Sequence, residues 1–119
     1  MKITIPISVG ELLDKISILQ IKFQKTSSEY VEKELNELIN IAIANNVYEI
    51  SLIYKLKNVN KNLWEVENEV RRFESSQNFC ARFIELARSV YKLNDERSKI
   101  KKEINNSYNS EFREIKIYQ

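Results

Sequence analysis

The chain has no histidine, and among its 119 residues there is one glycine, one proline and one cysteine. Each shortage removes a class of chemistry. Without histidine the usual proton shuttle near neutral pH and the commonest metal ligand are both missing. A Ser-His-Asp or Cys-His nucleophile cannot be assembled, nor can a di-iron bundle built on Glu-x-x-His. One glycine cannot make a Gly-rich phosphate loop. A lone Cys80 forms no internal disulfide, which suits a reducing compartment. With so few backbone punctuators the chain is expected to run in long regular elements, and those elements are helices.

Charge of one sign is scarce as well. Nineteen basic residues face seventeen acidic ones, and the formal net charge is +2. The longest basic cluster is Lys99-Ile100-Lys101-Lys102, far short of the stripe that a nucleic-acid binder carries, so no nucleic-acid partner is expected. No apolar run approaches the roughly eighteen residues that cross a bilayer, so no membrane insertion is expected. The segment Met1 to Glu11 is too short and polar for a secretory signal, and a cytoplasmic setting follows. A hydrophobic share of 43% with 30% charged residues fits one folded domain spanning 1–119.

The residues present are patterned. In "KITIPI" (2–7) Ile3, Ile5 and Ile7 alternate with Lys2, Thr4 and Pro6, a period of two that reads as a strand confined to an edge by the proline. "FREIKIY" (112–118) repeats the signal at the other end. A lone strand leaves a row of unpaired backbone groups, so the two termini are expected to pair as an antiparallel ribbon. Between them the period is helical. Ser8-Val-Gly-Glu11 is a capping box that starts a first helix carrying Leu12, Ile16, Leu19 and Phe23. Ser27 or Ser28 caps a second, with Val31, Leu35, Leu38 and Ala42. In the third, Leu52, Leu56, Val59, Leu63, Val66, Val70 and Phe73 alternate steps of four and three. This is a coiled-coil-like seam, on a helix that from Tyr48 to Glu74 is expected to be about 40 Å long. A fourth helix carries Phe79, Phe83, Leu86, Val90, Leu93, Ile100 and Ile104, with Arg97 at one seam position. The expected fold is mainly α: a helical bundle with a long antiparallel helical hairpin and a small terminal antiparallel β-ribbon.

The third helix holds the stretch "NLWEVENEVRRFE" (62–74). Residues three and four apart share a face, so Asn60, Trp64, Glu67, Arg71 and Glu74 form a row beside the seam. In an antiparallel hairpin that row faces Arg88, Tyr91, Asn94 and Asp95. Two readings apply. The polar row can fix the hairpin's register through pairs such as Glu67 with Arg88 or Arg71, and Asn60 with Asn94. Alternatively it lines a ligand pocket, in which the arginines grip an anion, Trp64 stacks on a sugar or base, and carboxylates accept from hydroxyls. No catalytic residue, metal site or cofactor is expected.

Three blocks, "SVGELLDKISILQIK" (8–22), "NKNLWEVENEVRRFE" (60–74) and "FIELARSVYKLNDERSKIKKEIN" (83–105), give the chain a resemblance to a family of small bacterial helical proteins of unknown function. Such proteins are often encoded among genes for cell-surface polysaccharide assembly. That family in turn resembles a second one sharing N-x-x-L-W-x-x-E and N-D-x-R elements. Where relatives tend to carry Glu-Asp after the tryptophan, this chain has Glu67-Asn68. The resemblance implies a loose link to glycan biosynthesis and leaves the activity unknown. The expected function is a non-enzymatic cytoplasmic protein-interaction module, a homodimer with glycan-assembly proteins as possible partners. The alternative is a binder or enzyme for a small anionic ligand such as a phosphosugar or nucleotide sugar. Long seams on a short chain favour the dimer.

Overall fold

A computed structural model describes residues 1–117, which form four helices: α1 Val9–Thr26, α2 Glu29–Ala44, α3 Ile50–Ser75 and α4 Ala81–Ser107. The terminal β-ribbon is absent. Among the described residues there is no strand, and the expected second strand runs on to Tyr118, outside them. The period-two segments are extended but have separate anchors. Lys2 at the N-terminus pairs with Glu37 of α2 at 2.7 Å. At the other end Glu114 pairs with Lys101 of α4 at 3.0 Å, and Arg113 donates to the Ser110 carbonyl and to Asn106 and Asn109. Alternation marks residues that could pair and does not supply the facing backbone. Ile3 and Ile115 stay 77% and 83% exposed.

The helices follow the seams. Leu13, Ile16, Leu56 and Ile104 are fully enclosed where α1 lies against the base of the α3–α4 hairpin. Contacts such as Asp14 with Arg97, and Gly10 with Asn105, set α1 antiparallel to α4. Helix α2 packs on α1 alone and buries only Leu35 and Ala42. The single glycine sits where α1 touches α4. A Cβ on Gly10 would come 2.8 Å from the Lys101 carbonyl oxygen and 2.9 Å from Asn105 Oδ1. Such contacts are too close for any side chain, so glycine permits the helix crossing.

Helix ends are made without further glycine. The capping box of α1 is half formed. Glu11 N–H donates to Ser8 Oγ at 3.1 Å, but the Glu11 carboxylate turns to Lys101 rather than back to Ser8. After α2, α3 and α4 the chain turns through left-handed Asn46, Gln77 and Asn109, with φ of 57°, 56° and 50°. The next residue then donates back to Ala42, Phe73 and Asn105 respectively. These are Schellman closures, usually built on glycine.

Candidate functional site

The polar centre of the molecule is Asp14, fully enclosed on an otherwise apolar stretch of α1. Its carboxylate accepts from Arg97 Nε at 3.0 and 3.1 Å and from Arg97 Nη2. It also accepts from Asn60 Nδ2 at 2.9 Å, and the same amide group donates to Ser17 Oγ at 2.9 Å. Burying a carboxylate is costly unless it is paired and hydrogen-bonded, and here three helices converge to meet that need. Lys101, one turn beyond Arg97, sits 3.9 Å from Asp14 and pairs with Glu11 at 2.7 Å and Glu114 at 3.0 Å. The hydrogen bonds that Arg97 donates to Asp14 raise the pKa of the guanidinium further above its ordinary value, despite desolvation. Burial opposes the charge of Lys101. The bonds to Glu11 and Glu114 and the nearby charges of Glu11 and Asp14 outweigh it, and the ammonium is held above 10.5.

Beside this cluster lies a cleft of about 150 Å³. Its apolar lining is Ile18, Ile21 and Leu63, and its polar lining is Asn60, Glu67, Asn94 and Arg97, with Trp64 completing the wall. Trp64 is 39% exposed, and Lys25 Nζ lies 5.3 Å from its ring centroid. A second depression of about 310 Å³, shared through Ile21 and Trp64, is edged by Gln24, Lys25, Lys61 and Glu65.

The structure splits the eight residues expected to face one another. Asn60, Trp64, Glu67 and Asn94 meet at the cleft. Arg71 turns to an open depression with Asn68, Arg72, Ser75 and Ser76. Arg88, Tyr91 and Asp95 are exposed, one and two turns apart on the outside of α4. Neither Glu67 with Arg88, nor Glu67 with Arg71, nor Asn60 with Asn94 is paired. Among the described residues Glu67, Arg71 and Arg88 have no ion-pair or hydrogen-bond partner. The register of the hairpin is held instead by Phe73 against Phe83, by Arg82 with Glu69, and by the attachments to Asp14.

Sequence reasoning missed Asp14, Ser17 and Lys101. The signal was an aspartate inside "LLDKIS" and an arginine at a seam position. Each is a charge that a buried face accepts only with its partner, yet the two stand 83 residues apart. Among the described residues no group of acidic or cysteine side chains could hold a metal ion, and no helix is long and apolar enough to cross a membrane.

Among known proteins, no curated protein and no solved structure matches this chain. A family of unknown function (DUF6165) matches it over residues 1–119, and the chain belongs to that family.

Proposed function

We propose that this DUF6165 protein is a non-enzymatic interaction module that works as a homodimer through the outer stripe of α4. The observation that supports it is the stripe itself. Ile84, Arg88, Tyr91 and Asp95 recur at helical steps of four, three and four, and all are exposed. Ile84 and Tyr91 are 56% and 55% exposed, and they share a stripe with Arg88 and Asp95, opposite charges that have no partner among the described residues. The stripe is self-complementary. When two copies of α4 cross antiparallel at Tyr91, Arg88 of each copy meets Asp95 of the other, the isologous arrangement that a two-fold dimer requires. The rest of the hairpin supports the same reading. Between Trp64 and Leu93 only Leu86 is buried, and Val66, Val70, Phe73, Phe83, Val90 and Leu93 are half-buried between two helices. The reading keeps the cytoplasmic setting and the glycan-assembly partners that the motif resemblance implies.

An enzyme or binder of a phosphosugar would favour a pocket lined by Arg71 and Arg88 together, and the depression that Arg71 lines does not include Arg88. Sedimentation velocity tests the dimer. Wild type should sediment as a dimer at micromolar concentration. Arg88→Asp should give a monomer with unchanged helicity, and Arg88→Asp with Asp95→Arg should restore the dimer. A wild-type monomer at every accessible concentration, or a charge swap that fails to restore association, refutes the proposal.

A further inference from the structure

The Trp64 cleft carries an inference independent of the dimer. We propose that it binds an uncharged polyol, a single pyranose ring. The case begins with Asn60, which is 7% exposed and spends its amide hydrogens on Asp14 and Ser17. Its Oδ1 accepts nothing from the described residues. Among the described residues no buried side-chain polar atom lacks a partner, so that oxygen is open to the cleft that Asn60 lines. A largely buried amide thus presents one accessible acceptor to the cleft, held in place by the bonds its Nδ2 makes.

Arg97 is arranged likewise. Asp14 binds its Nε and Nη2 and fixes the guanidinium plane, while Nη1 is left without a partner among the described residues. Asn94 donates to the Val90 carbonyl, and its Oδ1 is unspent. Glu67 adds an unpaired carboxylate at the rim. The cleft therefore offers a donor group and three acceptors on fixed elements, against an indole and the apolar side chains of Ile21 and Leu63.

Charge selects the class of ligand. Arg97 is already compensated by a buried carboxylate, and Glu67 is not compensated at all. An anion would meet the Glu67 charge and gain little from Arg97, whereas a cation would meet Arg97 and Lys25. A hydroxyl both donates and accepts, so a polyol can satisfy Asn60 Oδ1, Glu67 and Arg97 Nη1 together. The C–H face of a pyranose suits an indole, which buries apolar surface while leaving polar edges free. The volume of about 150 Å³ equals that of about five waters, room for one sugar ring and no nucleotide.

Trp64 is the only tryptophan, so its fluorescence reports on the two depressions it borders, and the Glu67 and Asn94 variants assign a response to this cleft. The full-length protein is titrated with glucose, galactose, mannose and N-acetylglucosamine, and separately with inorganic phosphate. At least one sugar should give a saturable change with Kd of about 1–10 mM, as expected for so small a ligand. Inorganic phosphate at the same concentrations should give none. Glu67→Ala and Asn94→Ala should each weaken binding by about fivefold or more while leaving the melting temperature unchanged. No saturable change with any of the four sugars, an equal response to inorganic phosphate, or undiminished binding by both variants would each overturn the assignment.

Discussion

Replacing Asp14 by alanine tests how the helices are held together. Asp14 is fully enclosed and accepts from Arg97 and Asn60. Removing one partner of a buried ion pair costs about 3–5 kcal/mol, mostly through the charge left behind. Two features place this case at the lower end. The Arg97 side chain keeps 27% of its exposure, so water can solvate part of the orphaned guanidinium, and Lys101 retains Glu11 and Glu114. The expected loss is about 3 kcal/mol. A domain of this length has roughly 6–18 kcal/mol in total, so the variant should fold, with a melting temperature lowered by about 10–15 °C. Urea denaturation gives the free energy directly. Asp14→Leu combined with Arg97→Leu should recover most of the loss, because an apolar pair of similar volume needs no desolvation. A cost below about 1 kcal/mol for Asp14→Ala, the size of an exposed pair, would show that the cluster does not hold α1 to the hairpin.

Lys101 makes stability sensitive to alkali. Its pKa is raised in the folded state above the ordinary 10.5, so its contribution is complete below that value and is lost as pH rises through the higher folded one. The stability gap between wild type and Lys101→Met, measured in urea, should therefore narrow above pH 10.5 and stay flat between pH 7 and 9. Gln77 ends α3 in the left-handed region with φ of 56°. Gln77→Gly relieves that strain and should raise stability by about 1 kcal/mol, read as a higher urea midpoint with an unchanged slope.

The four helices were legible because their seams repeat over many turns. Leu52 to Phe73 keeps one period for three heptads, and no strand or loop explains that spacing. The hairpin turn near Ser76 was legible for the same reason, since both seams stop there. The ribbon was misread because Ile3, Ile5 and Ile7 define an alternation without naming a partner, and Lys2 and Glu114 draw the two tails to different helices. At the site, Asn60, Trp64 and Glu67 line one cleft, as their spacing on α3 implies. Arg88, Tyr91 and Asp95 do not line that cleft, and their angular position on α4 depends on which of its faces α1 covers. That was fixed by Asp14 choosing Arg97, a pairing between residues far apart in the chain that no local pattern reveals.

Helix α3 has its own geometrical consequence. Asn60 is its point of attachment to Asp14 and Ser17, and Ser75 is its last residue. Fifteen residue steps of helix separate them, roughly 22 Å at 1.5 Å per residue. Helix α1 still flanks its first turns, with Lys25 over Trp64 and Ile18 and Ile21 lining the cleft beside Glu67, and α4 runs alongside it as the other half of the arm. A tilt of about 5° at Asn60 sweeps its tip through about 2 Å over that length. The bond lengths around one enclosed aspartate thus set where the far end of the arm points, and whatever fills the cleft beside Asn60 sits at the fulcrum.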